Sequence, residues 1–338
     1  MKTFVGVDYH KGFSYGAIMN EAGEILKRGR FGNDADRVAE FLGEYGGPEC
    51  SAVLEATRNW CVMHDWLEEE AGRVVLAHPL KVKAIAEAKI KTDKIDATIL
   101  AHLLRCDLIP AAHVCSREGR VLKNVLRHRM FLVRLSTMTK NRIHAVVDRH
   151  PEVRAEWPCA ELFTRPGVMW LRGVELPAYD RHILTAELDL LEHLEGQIKQ
   201  ADRWLRQVGR KDPRVARLMT IPGIGRSFAA LLVSEIDDIR RFATAKKLHA
   251  YAGLVPSTYS SGGHTFHGRI IKAGNKYIRW AMVEAVWPAI QKDPDLYAYY
   301  YRLAGRKGAN PAKVATARRL LTIVYRVLKE EREYRRAA

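Results

Sequence analysis

Two short apolar runs early in the chain each stop on a carboxylate, and this pattern limits the possible folds more than any other feature. Phe4-Val5-Gly6-Val7 ends at Asp8, and Ala52-Val53-Leu54 ends at Glu55. Short apolar runs bounded by polar residues read as buried strands. An acid that closes such a strand sits where the strand ends. A second pair, Asp93 and Asp96, is three residues apart in Lys91-Thr92-Asp93-Lys94-Ile95-Asp96. That stretch reads as helix, so both acids point the same way. A set of hard oxygen ligands suits Mg²⁺ or Mn²⁺, and two such ions can clamp both oxygens of a phosphoryl displacement.

The elements around these acids follow a recognisable order. Residues 3–8, 13–19 and 24–31 read as three short strands, with turns at Lys11-Gly12 and Glu21-Ala22-Gly23. An amphipathic helix from Asp34 to Tyr45 carries Val38, Phe41 and Leu42 on one face. Strand 51–54, helix 59–71, strand 73–77 and helix 80–88 come next. Three strands in meander, then alternating helix and strand, is the order of an RNase H-like (RuvC-like) α/β fold. In that fold the ends of the first and fourth strands lie side by side, so Asp8 and Glu55 are expected to meet. The later helix then brings up Asp93 and Asp96.

Charge divides the chain. The whole sequence of 338 residues carries 55 Lys+Arg against 39 Asp+Glu, a net charge of +16. Residues 1–105 hold 14 basic and 16 acidic side chains, which leaves 41 and 23, net +18, for the remainder. The acid-bearing segment is therefore not the part that grips a polyanion. A basic remainder of this size reads as a nucleic-acid footprint, because each Lys or Arg on a phosphate releases condensed counterions. Five cysteines without a C-x-x-C spacing give neither a disulfide framework nor a zinc knuckle, as expected in a reducing cytoplasm. The apolar run at the N-terminus is too short for a signal peptide, and no stretch approaches the ~20 apolar residues of a membrane span. The expectation is a soluble cytoplasmic protein of prokaryotic type with no membrane partner.

Three regions follow from the breaks: 1–110 for the acids, a basic helical segment at 111–212, and a mostly helical region at 213–338. Residues 117–154 carry ten Lys+Arg against three acids, which favours a phosphate-tracking surface over a merely solvated face. From Ile183 to Val208, Leu184, Leu188, Leu191, Ile198 and Leu205 fall on heptad-like positions, while Glu195 and Asp202 interrupt the seam. A short coiled coil is expected there, within the chain or between subunits. Leu218 to Gly225 then reads helix, Pro-Gly-Ile-Gly, helix from Ser227 to Ile236, the layout of a helix-hairpin-helix. Gly223 and Gly225 let the backbone approach closely, and the N–H groups at Arg226 and beyond can hold a DNA phosphate without reading sequence; the alternative is an ordinary tight turn between packed helices. Farther on, Ser260-Ser261-Gly262-Gly263 reads as a mobile loop exposing two hydroxyls, and by composition alone such a loop is a linker. A basic block, with Arg269, Lys272, Lys276 and Arg279, completes the set of candidate nucleic-acid contacts.

Taken together, the four acids, Pro-Gly-Ile-Gly and the block from Ala252-Gly253-Leu254-Val255-Pro256 to Gly274-Asn275-Lys276-Tyr277-Ile278-Arg279 resemble the insertion-sequence-110 family of DEDD-type transposases, which includes the Piv-like site-specific DNA invertases. The resemblance covers nearly the whole chain. It implies that Asp8, Glu55, Asp93 and Asp96 bind Mg²⁺. It also implies that Ser261, in the Ser-Gly pair after Ala-Gly-Leu-x-Pro, attacks DNA to form a covalent phosphoserine link. Ser260 stands where many members have Gln, so two adjacent serines compete for that role; Ser261 is favoured because it precedes the glycine. The family further implies a structured bridge RNA that pairs with donor and target DNA, and dimers that assemble into tetramers with composite sites. A metal could polarise the scissile phosphate and lower the serine's pKa, and a covalent intermediate conserves the phosphodiester energy. The chain has no Walker-type loop, in keeping with strand exchange that needs no ATP.

Two other readings share some of these features. A RuvC-like metal-dependent nuclease, acting without an RNA guide, has the same acids but uses water and forms no adduct. A non-catalytic nucleic-acid-binding protein would use the acids as caps and ion-pair partners, such as Asp93 with Lys91 and Lys94. His10, His64 and His78 make no metal-ligand spacing and read as ordinary surface or core histidines. Trp280, Trp287, Tyr297, Tyr299, Tyr300 and Tyr301 could stack bases, but at helical spacing they read mainly as core.

Overall fold

The structure is a computed structural model that describes residues 1–86, 92–155, 161–209, 212–261, 264–271 and 273–335. Lys91, Cys159, Gly262 and Lys272 lie outside the described residues, as do positions 87–88 of the expected helix 80–88. The chain forms two compact units, Met1–Val114 and Cys115–Ala338, so the sequence break near 212 falls inside the second.

The first unit contains β1 (Thr3–Tyr9), β2 (Ser14–Met19), β3 (Ile25–Phe31), α1 (Ala35–Leu42), β4 (Gly47–Glu55), α2 (Trp60–Glu70), β5 (Ala71–Ala77), α3 (Pro79–Ile85) and α4 (Asp93–Arg105). The sheet order is β3-β2-β1-β4-β5. β1, β2 and β3 pair antiparallel as a meander, while β4 and β5 run parallel to β1. That order and those directions are an RNase H-like sheet, as expected from the element sequence. β1 continues one residue past Asp8, to Tyr9 paired with Ser14.

Side chains alternate across a strand, so each strand serves two cores. Val5 and Val7 of β1 and Ala52 and Leu54 of β4 pack with Val38, Phe41, Met63 and Leu67 from α1 and α2. Phe4, Val53, Val75 and Ala77 pack on the other face with Leu100, Leu103 and Leu104 of α4. Gly6 belongs to this second face. A Cβ built there would lie 2.0 Å from Ala97 O and 2.6 Å from Ala101 N. Only glycine lets α4 lie that close, and the small Ala97 and Ala101, both fully buried, complete the contact.

Among the described residues the second unit is helical except for one hairpin. It comprises α5 (Arg117–Val147), α6 (Pro151–Ala155), α7 (Arg165–Gly173), α8 (Ala178–Gly209), α9 (Pro213–Met219), α10 (Arg226–Ile236), α11 (Ala245–Tyr251), β6 (Pro256–Ser261), β7 (His264–Ile270), α12 (Lys276–Glu284), α13 (Val286–Lys292), α14 (Pro294–Lys307) and α15 (Ala309–Lys329). The long α5 and α8 pack along each other. Leu184, Leu188 and Leu191 of the expected heptad seam meet Ile143, Val146 and Val147 of α5, so this apolar stripe finds its partner within the chain. Leu126 and Leu205 join the main core built from α9 to α15.

Charged groups tie this core together. Glu235 of α10 is fully buried. It accepts from Arg127 Nε at 2.7 Å, Arg127 Nη2 at 2.9 Å and Asn275 Nδ2 at 2.8 Å. The Arg127 guanidinium also lies 4.5 Å from the Tyr277 ring centroid. Burial opposes the charge on Arg127, but the bonds and charge of Glu235 outweigh it and hold the guanidinium pKa above its usual value. Asn275 Oδ1 caps α12 by accepting from Tyr277 N and Ile278 N.

Two sequence readings need correction. Ser260-Ser261 is not a linker loop but the end of strand β6, with Ser260 paired to Thr265 and Ser261 to His264. Thr258-Tyr259 on one side and Thr265-Phe266 on the other are strand formers flanking a Gly-Gly pair, which is a hairpin signal. The aromatic set is also divided. Tyr300 is buried and Trp280 packs on the core, but Trp287, Tyr297 and Tyr301 are exposed.

Candidate active site

Strand parity puts the acids on one face. On β1 the even positions Phe4 and Gly6 face α4, and Asp8 is the next even position. On β4, Val53 faces α4 and Glu55 follows it by two. The parallel register pairs Val7 with Leu54, so Asp8 and Glu55 are the next neighbours along it. α4 begins on the same face with Asp93 and Asp96 in its first turn, where the helix dipole favours negative charge. Thr92 Oγ1 fixes that start by accepting from Ile95 N at 3.3 Å.

His10 completes the cluster, although its sequence spacing gave no hint of a ligand. Its Nε2 lies 3.1 Å from Asp8 Oδ2 and 3.3 Å from Asp93 Oδ1. One ligand atom from each of Asp8, His10 and Asp93 falls within 4.8 Å of the others. The missed signal is periodicity at the strand end, since Asp8 and His10 are two apart and a period-2 chain returns them to one side. Burial pushes the Asp8 carboxyl pKa up; His10 lowers it, while Asp96 and Asp93 raise it further. Like charges gathered in a partly desolvated place are what a divalent cation relieves, and the carboxylate oxygens suit a hard ion. His64, Asp65 and Glu68 form a second compact group, on α2, where His64 is buried. Among the described residues these are the two such groups.

Ser261 occupies the last described position of β6, and Gly262 and Gly263 lie outside the described residues. Alternation puts Ser261 on one side of the hairpin with Tyr259, His264 and Phe266, and Ser260 on the other side. The two adjacent serines are therefore not interchangeable. Tyr259 and Phe266 are 71% and 70% exposed, so Ser261 shares its face with two uncovered aromatic rings.

The remaining candidates have varied surroundings. Gly223 adopts φ +82, and a Cβ there would lie 2.6 Å from Ala285 O, so packing inside the unit already accounts for this glycine. Gly225 is the N-cap of α10 with open space around it, and Arg226 beside it is exposed. The start of α10 thus offers uncapped N–H groups of the kind that bind phosphate. Arg269 and Lys276 are exposed. Arg279 is half-buried and donates from Nη1 to Ala252 O at 2.9 Å, which ties α12 to the Ala252-Gly253-Leu254 turn. Among the described residues no helix is long and apolar enough to cross a membrane.

Comparison with known proteins agrees with this geometry. Residues 5–151 match the family described as DEDD_Tnp_IS110, Transposase, and residues 215–301 match the Transposase IS116/IS110/IS902 family. A Pseudomonas aeruginosa protein described as a probable family 20 transposase is 27% identical over 296 residues, covering 85% of this chain and 86% of the relative. The transposase for insertion sequence element IS1328 of Yersinia enterocolitica is 26% identical, covering 86% and 84%. The transposase for insertion sequence element IS1111A of Coxiella burnetii is 24% identical, covering 77% and 72%. The first match spans all four acids and the second spans Pro-Gly-Ile-Gly and Ser261. The chain is a DEDD-type transposase of the IS110/IS116/IS902 family.

Proposed function

We propose that this transposase cuts and rejoins DNA strands through a covalent phosphoserine intermediate on Ser261, with a divalent cation, Mg²⁺ or Mn²⁺, held by Asp8, Glu55, Asp93 and Asp96. The observation that supports the reading is the compact group of Asp8, His10 and Asp93, whose ligand atoms lie within 4.8 Å of one another, with Asp96 in the same helix turn as Asp93 and Glu55 next to Asp8 along the strand register. A cation bound there supplies Lewis acidity to a phosphoryl oxygen. Burial and the acidic neighbours Asp96 and Asp93 raise the Asp8 pKa, and a cation there would favour its charged form. His10, between Asp8 and Asp93, orients both carboxylates.

In the first step Ser261 Oγ bonds to the scissile phosphorus, the bond from phosphorus to the departing strand's oxygen breaks, and the serine proton is lost as that oxygen gains one. In the second step an incoming strand hydroxyl attacks the same phosphorus and gives up its proton, the bond from phosphorus to Ser261 Oγ breaks, and the departing serine oxygen takes up a proton. The phosphodiester count is unchanged, so no nucleotide triphosphate is consumed. His264, directly across the hairpin from Ser261, is the nearest titratable residue along the register.

The net charge of +18 beyond residue 105 supports DNA and a structured guide RNA as partners of the same chain. Homodimers that pair into tetramers would bring several such chains to one set of strands. The test is an adduct assay with labelled donor and target DNA, the element's flanking transcript and Mg²⁺. A denaturation-resistant protein–DNA band is expected for wild type and Ser260→Ala, and is lost in Ser261→Ala and Asp8→Asn. Cleavage without any band, unaffected by Ser261→Ala, points instead to a RuvC-like nuclease. Omitting the transcript tests the guide, since the proposal expects the band to disappear without it.

A further inference from the structure

A cavity of about 1140 Å³ lies in the second unit, walled by α11, the base of the β6–β7 hairpin, the end of α14 and the first half of α15. Five cations line it, Lys246, Arg269, Lys307, Arg318 and Arg319, and no Asp or Glu does. Among the described residues none of the five has an ion-pair partner. Positive groups gathered around a recess without counter-charge repel one another, and an anionic ligand relieves that repulsion.

The cavity is also built. His249 is 5% exposed, and its Nδ1 accepts from Arg318 Nε at 3.2 Å. Its other nitrogen, Nε2, donates to Thr322 Oγ1 at 3.0 Å, and that hydroxyl donates to Arg318 O. Arg318 is thus anchored through Nε, and its two Nη groups have no bond among the described residues. Burial and the Arg318 charge hold His249 down to about 4, so the anchor is neutral at physiological pH. Arg319 lies 4.7 Å from the Tyr299 ring centroid, a cation–π contact on the same wall.

A duplex backbone needs only positive charge and donors along its phosphates, with no apolar recess. Here the cations surround a recess whose wall includes Leu254, Ile270, Leu303 and Val314. Apolar surface gives nothing to a phosphate but suits the face of a base, and aromatic and arginine planes are what unpaired bases stack on. The volume exceeds what a lone ion requires and lies just above the ~300–1,000 Å³ range of ligand pockets.

We propose that this cavity takes an unpaired nucleotide, its phosphate on Arg318, Arg319 and Arg269 and its base against the apolar wall beside Tyr299. The strand is single-stranded DNA or RNA, which share the phosphodiester and the base face that this cavity contacts. Pro256 lies at the cavity and Ser261 is five residues along β6, roughly 17 Å away. A base drawn out of its helix here is therefore held within a few nucleotides of the position assigned to strand exchange. The inference rests on the nucleic-acid reading above but not on Ser261 being the nucleophile.

The test uses the full chain carrying Asp8→Asn, without divalent cation, so that only binding is measured. The probes are short single-stranded DNA and RNA oligonucleotides bearing one 2-aminopurine, and the matched DNA duplex. Arg319→Gln and Arg318→Gln should each weaken single-strand binding about tenfold. Each should also lower the slope of log affinity against log salt by about 0.7. Duplex binding should change far less. Val314→Trp, which fills the cavity without altering charge, should abolish the 2-aminopurine fluorescence change. The arm that responds, DNA or RNA, identifies the source of the nucleotide. Equal losses on duplex and single strand, or an unchanged 2-aminopurine signal in a folded Val314→Trp protein, overturn the proposal. Failure of the Ser261 adduct with these binding losses intact would count against the serine mechanism alone.

Discussion

Gly6→Ala tests how the acids are assembled, because it changes none of them. The added methyl would sit 2.0 Å from Ala97 O, whereas ordinary contact begins near 3.4 Å. β1 and α4 must therefore separate by roughly 1.4 Å at that point, since both atoms belong to backbone-fixed elements. Asp8 lies two residues beyond Gly6 on the strand, and Asp93 and Asp96 lie in the turn just before Ala97 on the helix. The separation falls directly between the carboxylates. Overpacking of this kind costs about 1–3 kcal/mol of stability. A displacement near 1 Å at reacting groups can cost ~10²-fold in rate. Circular dichroism should show a folded protein with a lowered melting temperature, and Mn²⁺ titration by electron paramagnetic resonance should show affinity reduced by about tenfold or more. Wild-type Mn²⁺ affinity in a folded Gly6→Ala protein would refute the claim that the close approach of α4 sets the site.

Three further outcomes follow from other parts of the chain. Arg127→Met leaves Glu235 buried with Asn275 as its remaining side-chain donor among the described bonds, a loss of about 3–5 kcal/mol by urea unfolding. The double change Arg127→Met with Glu235→Leu should restore much of it, and additive losses would contradict the pairing. His249 has a folded pKa near 4 against 6.5 unfolded, so the unfolded chain binds the extra proton between those values. Stability of the second unit should be full above pH 6.5 and fall by up to ~3 kcal/mol as pH drops toward 4, a decline that His249→Phe removes. Asp8 has the opposite sign. Its raised pKa makes the cation-free first unit less stable as pH rises through that value, and Asp96→Asn, by removing a like charge, should raise the cation-free melting temperature. In wild type, Mn²⁺ at 100 times its dissociation constant should add about 2.7 kcal/mol. No gain in wild type would argue against a metal site there.

The first unit was legible because local and global signals agree in it. Strand runs that close on Asp8 and Glu55, with an amphipathic helix after the meander, leave few arrangements, and the RNase H-like sheet is the one observed. His10 was not legible, because its role depends on two acids that meet it only after α4 folds back over β1. Ser260 and Ser261 were misplaced in a loop because Ser and Gly outweighed the flanking Tyr259 and Phe266. Strand alternation, visible once the hairpin is recognised, is what separates the two hydroxyls. The apolar stripe of α8 was readable, but its partner on α5 was not, since such a stripe does not name the surface that covers it. The buried Glu235–Arg127–Asn275 cluster was invisible for a similar reason. Its members are far apart in sequence, and each alone looks like a surface residue.

The most direct test of the account is to isolate the protein–DNA adduct, digest it with protease and nuclease, and locate the modified residue by mass spectrometry. The account predicts a nucleotide phosphodiester on Ser261, none on Ser260, and no adduct when Asp8 is replaced by Asn. A phosphodiester on any other residue, or cleaved ends bearing no protein at all, would contradict it.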